Sequence, residues 1–264
     1  MKDRLINWYD KNTKPMPWRL NADPYRVWIS EVMLQQTQVS TVIPYYERWM
    51  NEFPSIKILA RANIDSVLKL WEGLGYYRRA HNIKKSAEII VDELGGEFPS
   101  GLKLRELPGI GDYIYSAITS ISFNQPNPVI DGNVRRVTSR FWEQKFITAK
   151  EIKILNEKLK NQISQNRPGC FNQAMMDLGR EICKPVNPHC EECPINLDCQ
   201  AFNNETIDSY PHKQKKKKIP LFDVVVGYIE DQNERFIITK RPDNKMLGGL
   251  WELPGGKREK GESL

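Results

Sequence analysis

A chain of 264 residues with 40% hydrophobic content is long enough to bury one large core or two smaller ones, and its 27% charged residues exclude a disordered chain. No apolar run approaches the length that spans a bilayer, the longest lying near residues 224–229, and the first residues carry no secretory pattern, so the plain expectation is an intracellular protein without a membrane partner. Of the net charge of +6, five charges belong to Lys213, Lys215, Lys216, Lys217 and Lys218; such a run is ordinarily a solvated linker, so charge permits nucleic-acid binding without demonstrating it.

From residue 5 to about 164 the chain reads as a succession of short amphipathic helices punctuated by Pro, Gly and Asn, which predicts an all-α domain. The first informative stretch is Val27-Trp28-Ile29-Ser30-Glu31-Val32-Met33-Leu34-Gln35-Gln36-Thr37-Gln38, read as one helix. A lone helical Glu is ordinarily a solvated surface residue. Here apolar neighbours on both sides would strip Glu31 of water and raise its pKa, so that it could hold a proton at neutral pH. The glutamines that follow are unusual for a solvent face; amides can bond base edges or fill the gap left by an extruded nucleotide. Ile83, Ala87, Ile90, Val91 and Leu94 fall at helical spacing, and Gly95-Gly96 ends that helix.

Two predicted helices, 102–106 and 113–123, flank Leu107-Pro108-Gly109-Ile110-Gly111. Two glycines around an apolar residue let backbone approach a ligand closely, and the following helix offers free N–H groups and a positive dipole end. Such a turn grips phosphate without reading sequence; it is equally common as a tight structural corner. Asp131, in Val129-Ile130-Asp131-Gly132-Asn133-Val134, reads as a carboxylate at a helix start beside this turn, where a plain N-cap is the commoner explanation. Breaking an N-glycosidic bond needs an acid for the leaving base and an anion for the developing oxocarbenium ion, by the logic of paired carboxylates in glycoside hydrolysis. Glu31 and Asp131 are the candidates. Ile152, Leu155 and Leu159 resume the helical pattern after Thr148, a candidate N-cap.

Four of the five cysteines, Cys183, Cys190, Cys193 and Cys199, fall in one loop with the spacing C-x6-C-x2-C-x5-C, stiffened by Pro185, Pro188 and Pro194. Four thiolates in so short a loop are what a soft metal centre needs, and an intracellular chain disfavours disulfides. Zinc accepts four thiolates too, although zinc ribbons use two C-x2-C pairs where this loop has one. Cys170 stands apart and reads as a buried small residue. From Leu221 the texture turns β-branched, with 223–230 and 235–241 as extended segments around a turn at 231–234. The chain therefore divides into a helical domain at 1–210, a Lys-rich linker at 211–220, and a segment at 221–264 too short to close a core.

Taken together the motifs resemble the endonuclease III superfamily, and within it the adenine DNA glycosylases, from Trp8 to about Tyr210. The resembling segments are Pro17-Trp18-Arg19, Ser30 to Val39, Gly73-Leu74-Gly75-Tyr76-Tyr77, Leu107 to Gly111, Asp131-Gly132-Asn133-Val134-Arg135-Arg136-Val137, Phe171-Asn172-Gln173-Ala174-Met175-Met176-Asp177-Leu178-Gly179 and the cysteine loop. The resemblance implies an all-α helix-hairpin-helix glycosylase fold, a six-helix module plus an iron–sulfur module, followed by a truncated α/β Nudix-like segment. It implies release of adenine mispaired with 8-oxoguanine or guanine in double-stranded DNA, by a cytoplasmic monomer acting in base excision repair.

Glu31 would protonate N7 of the flipped adenine, Asp131 would stabilise or transiently trap the sugar cation, and Asn133 would keep the site polar. Trp18, Arg19 and Gln173 match positions lining the adenine pocket. Gln36 and Tyr76 match residues that wedge into the base stack, and Leu107, Gly109 and Gly111 belong to the DNA-gripping hairpin. The four cysteines would hold a structural four-iron four-sulfur (4Fe-4S) cluster. Relatives that also nick the backbone carry a lysine nucleophile two residues past the hairpin's second glycine. Tyr113 stands there and a phenol forms no Schiff base, so the expectation is a monofunctional glycosylase and not an endonuclease III-like glycosylase and lyase. Gly248 to Gly256 with Gly261-Glu262 resembles the opening of a Nudix box that breaks off before its Glu-rich, metal-binding half, which argues against a Nudix hydrolase. A non-enzymatic DNA-binding module would leave Glu31 and Asp131 without a purpose.

Overall fold

The computed structural model describes residues 1–212, 220–242, 247–259 and 261–262; the run of Lys213 and Lys215 to Lys218, the heart of the expected linker, lies outside them. Its helices pack around two cores. Helices α2 (Pro24–Leu34), α3 (Val39–Glu52), α4 (Ile56–Arg61), α5 (Ile64–Trp71), α6 (Arg78–Asp92), α7 (Leu102–Glu106) and α8 (Asp112–Ile121) close around Trp28, Trp49, Trp71, Ile29, Met33 and Ile83. Trp49 stands edge-on to Phe53 and Trp71, with centroids 5.2 and 5.7 Å away. The N-terminal helix, α1 (Lys2–Asn12), belongs to the other core. It packs with α9 (Gly132–Phe141), α10 (Ala149–Lys160) and α11 (Pro168–Glu181) around Leu5, Val137, Leu155, Phe171, Met175 and Leu178. Each such side chain removed from water contributes about 1.5–3 kcal/mol, so both lobes carry their own stabilisation. The helical stretch thus packs as two lobes, with the chain crossing after α1 and again after α8.

Local chemistry sets the helix limits. Asp23 accepts the Arg26 N–H ahead of Pro24, Ser55 accepts from Ile58, and Thr148 with Glu151 forms a reciprocal capping box. Gly95 and Gly96, at φ +74° and +82°, end the helix that the sequence pattern predicts there. The glutamines do not lie on a helix. α2 stops at Leu34, Gln36 adopts φ +62°, and Gln38 opens α3. The carbonyls of Val32 and Gln35, which a continuing helix would need, are taken by the Arg79 guanidinium.

After the cysteine loop and the short α12 (Gln200–Asn203), β1 (Val224–Val226) pairs antiparallel with β4 (Gly255–Lys257), and β2 (Thr239–Lys240) with β3 (Trp251–Glu252). A bridge between Glu230 and Phe236 closes the expected turn at 231–234. Two-stranded pairs bury no core: Val224, Tyr228 and Trp251 stay 60%, 64% and 62% exposed. Among the described residues no helix is long and apolar enough to cross a membrane.

Candidate active site

A cavity of about 1010 Å³ opens between the two lobes. Trp18, Arg19, Glu31 and Tyr113 line it from one side, and Asp131, Asn133, Gln173 and Asp177 from the other. Glu31 sits mid-way along α2, 5% exposed, and accepts a 2.5 Å hydrogen bond from the Tyr113 hydroxyl in the first turn of α8. Burial pushes the Glu31 carboxyl up to about 7; the nearby Asp131 charge adds to the rise, while Tyr113 and Arg19 hold it back. The Tyr113 phenol is driven well above its ordinary value by burial and by Glu31, so it stays a donor.

Asp131 is the N-cap of α9 and a wall of the cavity at once. Its Oδ1 accepts the Val134 N–H at 2.6 Å and its Oδ2 accepts Asn133 Nδ2 at 2.9 Å. Burial raises this carboxyl as well, and those donors oppose the rise by favouring the ionised form. One carboxyl is therefore poised to hold a proton near neutrality while the other is furnished with donors that favour its anion. Such a pair separates acid from anion in one site.

The remaining cavity residues are held from behind. Trp18 packs edge-on against Tyr46 at 5.4 Å, and Tyr9 donates to Gln173 Oε1 at 3.0 Å, orienting the amide. Arg19 makes two bonds to Asp177, of 2.7 and 2.9 Å. Cys170 is half-buried, packed against the edge of the second core and on the cavity wall, with Arg167 Nη2 3.4 Å from its sulfur, and so is less buried than its isolation in sequence implies.

The hairpin between α7 and α8 places its parts unequally. Gly109 sits at φ +81°, and a Cβ there would stand 2.9 Å from Asn82 Cβ on α6, so conformation and packing both demand glycine. A Cβ on Gly111 would meet no protein atom within 4 Å, and the N-terminal amides of α8 begin there, exposed. Leu107 is buried at 4% and anchors the hairpin in the core, so its side chain does not face outward. Gln36 and Tyr76 are exposed and do not line the cavity; each sits on a loop at positive φ, +62° and +50°.

Cys183, Cys190, Cys193 and Cys199 line one small cavity with Arg140, Ile182 and Phe202. None of the cysteines is in a disulfide. Burial pushes the Cys193 thiol up to about 12 and raises Cys190 and Cys199, so four thiolates need a positive centre to hold them together. Arg140 supplies part of it, donating to the Cys183 sulfur at 3.4 Å. Among the described residues no three His, Cys, Asp or Glu groups converge tightly enough for a single ion. Four soft donors lining one cavity suit an iron–sulfur cluster, which takes one thiolate per iron.

Residues 29–162 match the HhH-GPD superfamily of base excision DNA repair proteins, and residues 225–264 match the NUDIX domain. An adenine DNA glycosylase of Buchnera aphidicola subsp. Schizaphis graminum is 40% identical over 260 residues, covering 95% of this chain and 73% of that one. The chain belongs to the adenine DNA glycosylases. The Arabidopsis thaliana glycosylase is 37% identical over 95% of this chain and 46% of its own length, and the Homo sapiens glycosylase is 32% identical over 98% and 58%. The chain thus spans between about half and three quarters of the glycosylases it matches. A thermostable thymine-DNA glycosylase superposes with a TM-score of 0.69 at 23% identity, covering 76% of this chain and 94% of that one, and shows the same helical fold.

Three residues that stand in the sequence motifs without an assigned role are placed at the site by the structure. Asp177 holds Arg19. Arg136 donates to Asn133 Oδ1 at 2.9 Å, to the Gly179 carbonyl at 2.7 Å and to the Cys183 carbonyl at 2.8 Å, so hydrogen bonds run from Asp131 to the cysteine loop. Gly179 lets α11 meet α9: a Cβ there would lie 2.6 Å from Asn133 Cβ. A glycine in the interior of α11, where it costs about 1 kcal/mol of helix stability, is the signal that could have found it.

Proposed function

We propose that this chain hydrolyses the N-glycosidic bond of adenine mispaired with 8-oxoguanine or guanine in duplex DNA, without cutting the backbone. The carrying observation is a cavity shared by a buried carboxyl with a pKa near 7 and a second carboxylate held by two donors. Glu31 delivers its proton to N7 of the extruded adenine, and the glycosidic electrons leave with the neutralised base. Asp131 stabilises the sugar cation, water adds at C1′, and the proton released restores the Glu31 acid. Asn133 fixes Asp131, while Trp18, Arg19 and Gln173 shape the pocket for the base. Gly109 and Gly111 present backbone to phosphate, and Gln36 and Tyr76 enter the stack as the base leaves it.

Cys183, Cys190, Cys193 and Cys199 would hold a 4Fe-4S cluster, which would supply positive charge to the buried thiolates and order the loop; hydrolysis needs no step through it. Residues 1–210 form the glycosylase domain and 221–264 a Nudix-like segment. The test is single-turnover incubation with duplexes carrying adenine opposite 8-oxoguanine, guanine or thymine, followed by alkali. Strand cleavage opposite the first two and not the third is expected; an intact adenine:8-oxoguanine duplex refutes the proposal. Borohydride trapping of a protein–DNA adduct would instead favour a lyase with a lysine nucleophile.

A further inference from the structure

Arg79, on the first turn of α6, is half-buried and, among the described residues, has no carboxylate partner. Its two terminal nitrogens donate to backbone carbonyls of two separate segments, while the buried Nε has no partner among the described residues. Nη1 donates to Val32 at 2.7 Å, Met33 at 3.4 Å and Gln35 at 2.8 Å, and Nη2 donates to Leu74 at 3.1 Å and Gly75 at 3.2 Å. The first three carbonyls belong to the C-terminal end of α2, the helix that carries Glu31. That end bears the negative pole of the helix dipole, and α2 has no basic residue of its own in its last turn. The other two carbonyls belong to the glycine-rich loop that presents Tyr76. The guanidinium also lies over the rings of Trp71 and Tyr76, at 5.1 and 5.5 Å from their centroids.

The two segments so joined carry the exposed residues Gln36 and Tyr76, both in the left-handed backbone region. A non-glycine residue there costs about 1–2 kcal/mol and persists only where its surroundings over-determine it. One planar five-donor fork reaching both loops supplies that determination, and a flexible lysine ammonium cannot reproduce it. We propose that Arg79 is a positioning residue for base extrusion: it caps α2 in trans and locks the Gln36 and Tyr76 loops at a fixed spacing from Glu31. This rests on the reading that those two residues enter the base stack.

The experiment compares wild type, Arg79→Gln and Arg79→Lys on two duplexes, one with adenine opposite 8-oxoguanine and one with adenine opposite an abasic gap, where the base is already unpaired. Single-turnover excision is read alongside duplex affinity and 2-aminopurine fluorescence as a report of extrusion. Both variants should lose excision and extrusion on the paired substrate by about tenfold to a hundredfold, Arg79→Lys less than Arg79→Gln, while the loss shrinks on the gapped one. An equal loss on both substrates would mean that Arg79 supports only Glu31 and its helix, and no loss would mean that it supports neither; either overturns the proposal. Should Arg79→Gln fail to fold, Arg79→Lys carries the same comparison. If wild type excises from neither duplex, the parent reading has failed and not this one.

Discussion

Replacing Glu31 by Gln should inactivate the protein and at the same time make it more stable, by an amount that depends on pH. The Glu31 carboxyl is raised by burial from an ordinary 4.5 to about 7. Below the lower value it is protonated in both folded and unfolded chains, and its ionisation contributes nothing. Between the two values the unfolded chain releases a proton that the folded chain keeps, so stability falls as pH rises. Above the upper value the whole penalty stands, about 3 kcal/mol at ~1.4 kcal/mol per pKa unit. Glutamine does not titrate, and its amide oxygen can still accept the Tyr113 hydroxyl. The advantage of Glu31→Gln over wild type should therefore be about 2 kcal/mol larger at about pH 8 than at about pH 5.5. Urea unfolding of both proteins at the two pH values measures this, with an unchanged slope showing that only stability has moved. Single-turnover excision should fall by about a hundredfold or more, the usual worth of a positioned acid. A stability difference that does not grow with pH would show that the folded carboxyl titrates like a solvated one, and the argument for Glu31 as the acid would collapse.

Asp131→Asn should lose excision by about a hundredfold while duplex binding in a gel-shift assay persists; wild-type excision would remove the anion from the mechanism. Tyr113→Phe deletes a donor that favours the ionised Glu31, so the alkaline limb of the pH–rate profile should move to higher pH, and an unchanged limb would contradict the contact. Gly179→Ala drives a methyl toward Asn133 and should cost about 1–3 kcal/mol in urea unfolding; retention of full stability would mean that α9 and α11 yield without strain. Cys193→Ser should abolish the broad visible absorbance of an iron–sulfur protein and loosen the loop against proteolysis. A colourless wild type with stoichiometric zinc would replace the cluster by another metal.

What could be read in the sequence follows from the range over which each group acts. Glu31 betrays itself through immediate neighbours, because the apolar residues on both sides of it mark its helix as buried. The hairpin glycines and the Thr148 capping box are likewise local. Arg79, Arg136 and Asp177 escape because each is defined by a partner far along the chain: Arg79 by carbonyls 44 to 47 residues away, Arg136 by carbonyls 43 and 47 away, and Asp177 by a guanidinium 158 away. The glutamines were placed on a helix for the same reason. Nothing in 35–38 forbids a further helical turn, and it is Arg79 that removes the carbonyls such a turn would use.

Asp131 shows why the ordinary and the functional explanation of a residue need not compete. The commoner expectation for an Asp before Gly-Asn-Val is an N-cap, and the structure makes it one, through the Val134 N–H. Capping is what qualifies it for the site. Burial raises this carboxyl and so works against its anion; the Val134 N–H at the helix N-terminus and Asn133 favour the anion and fix where it stands. Asn133 is in turn held by Arg136, which also bonds the Cys183 carbonyl, so the position of this carboxyl is tied to the loop of cysteines. Glu31 is the converse case: its own helix gives it no donor, Tyr113 of α8 and the Arg19 charge only partly offset its burial, and its carboxyl rises to about 7. The two carboxyls differ not in chemistry but in what each helix offers them, an N-terminus to one and an apolar interior to the other.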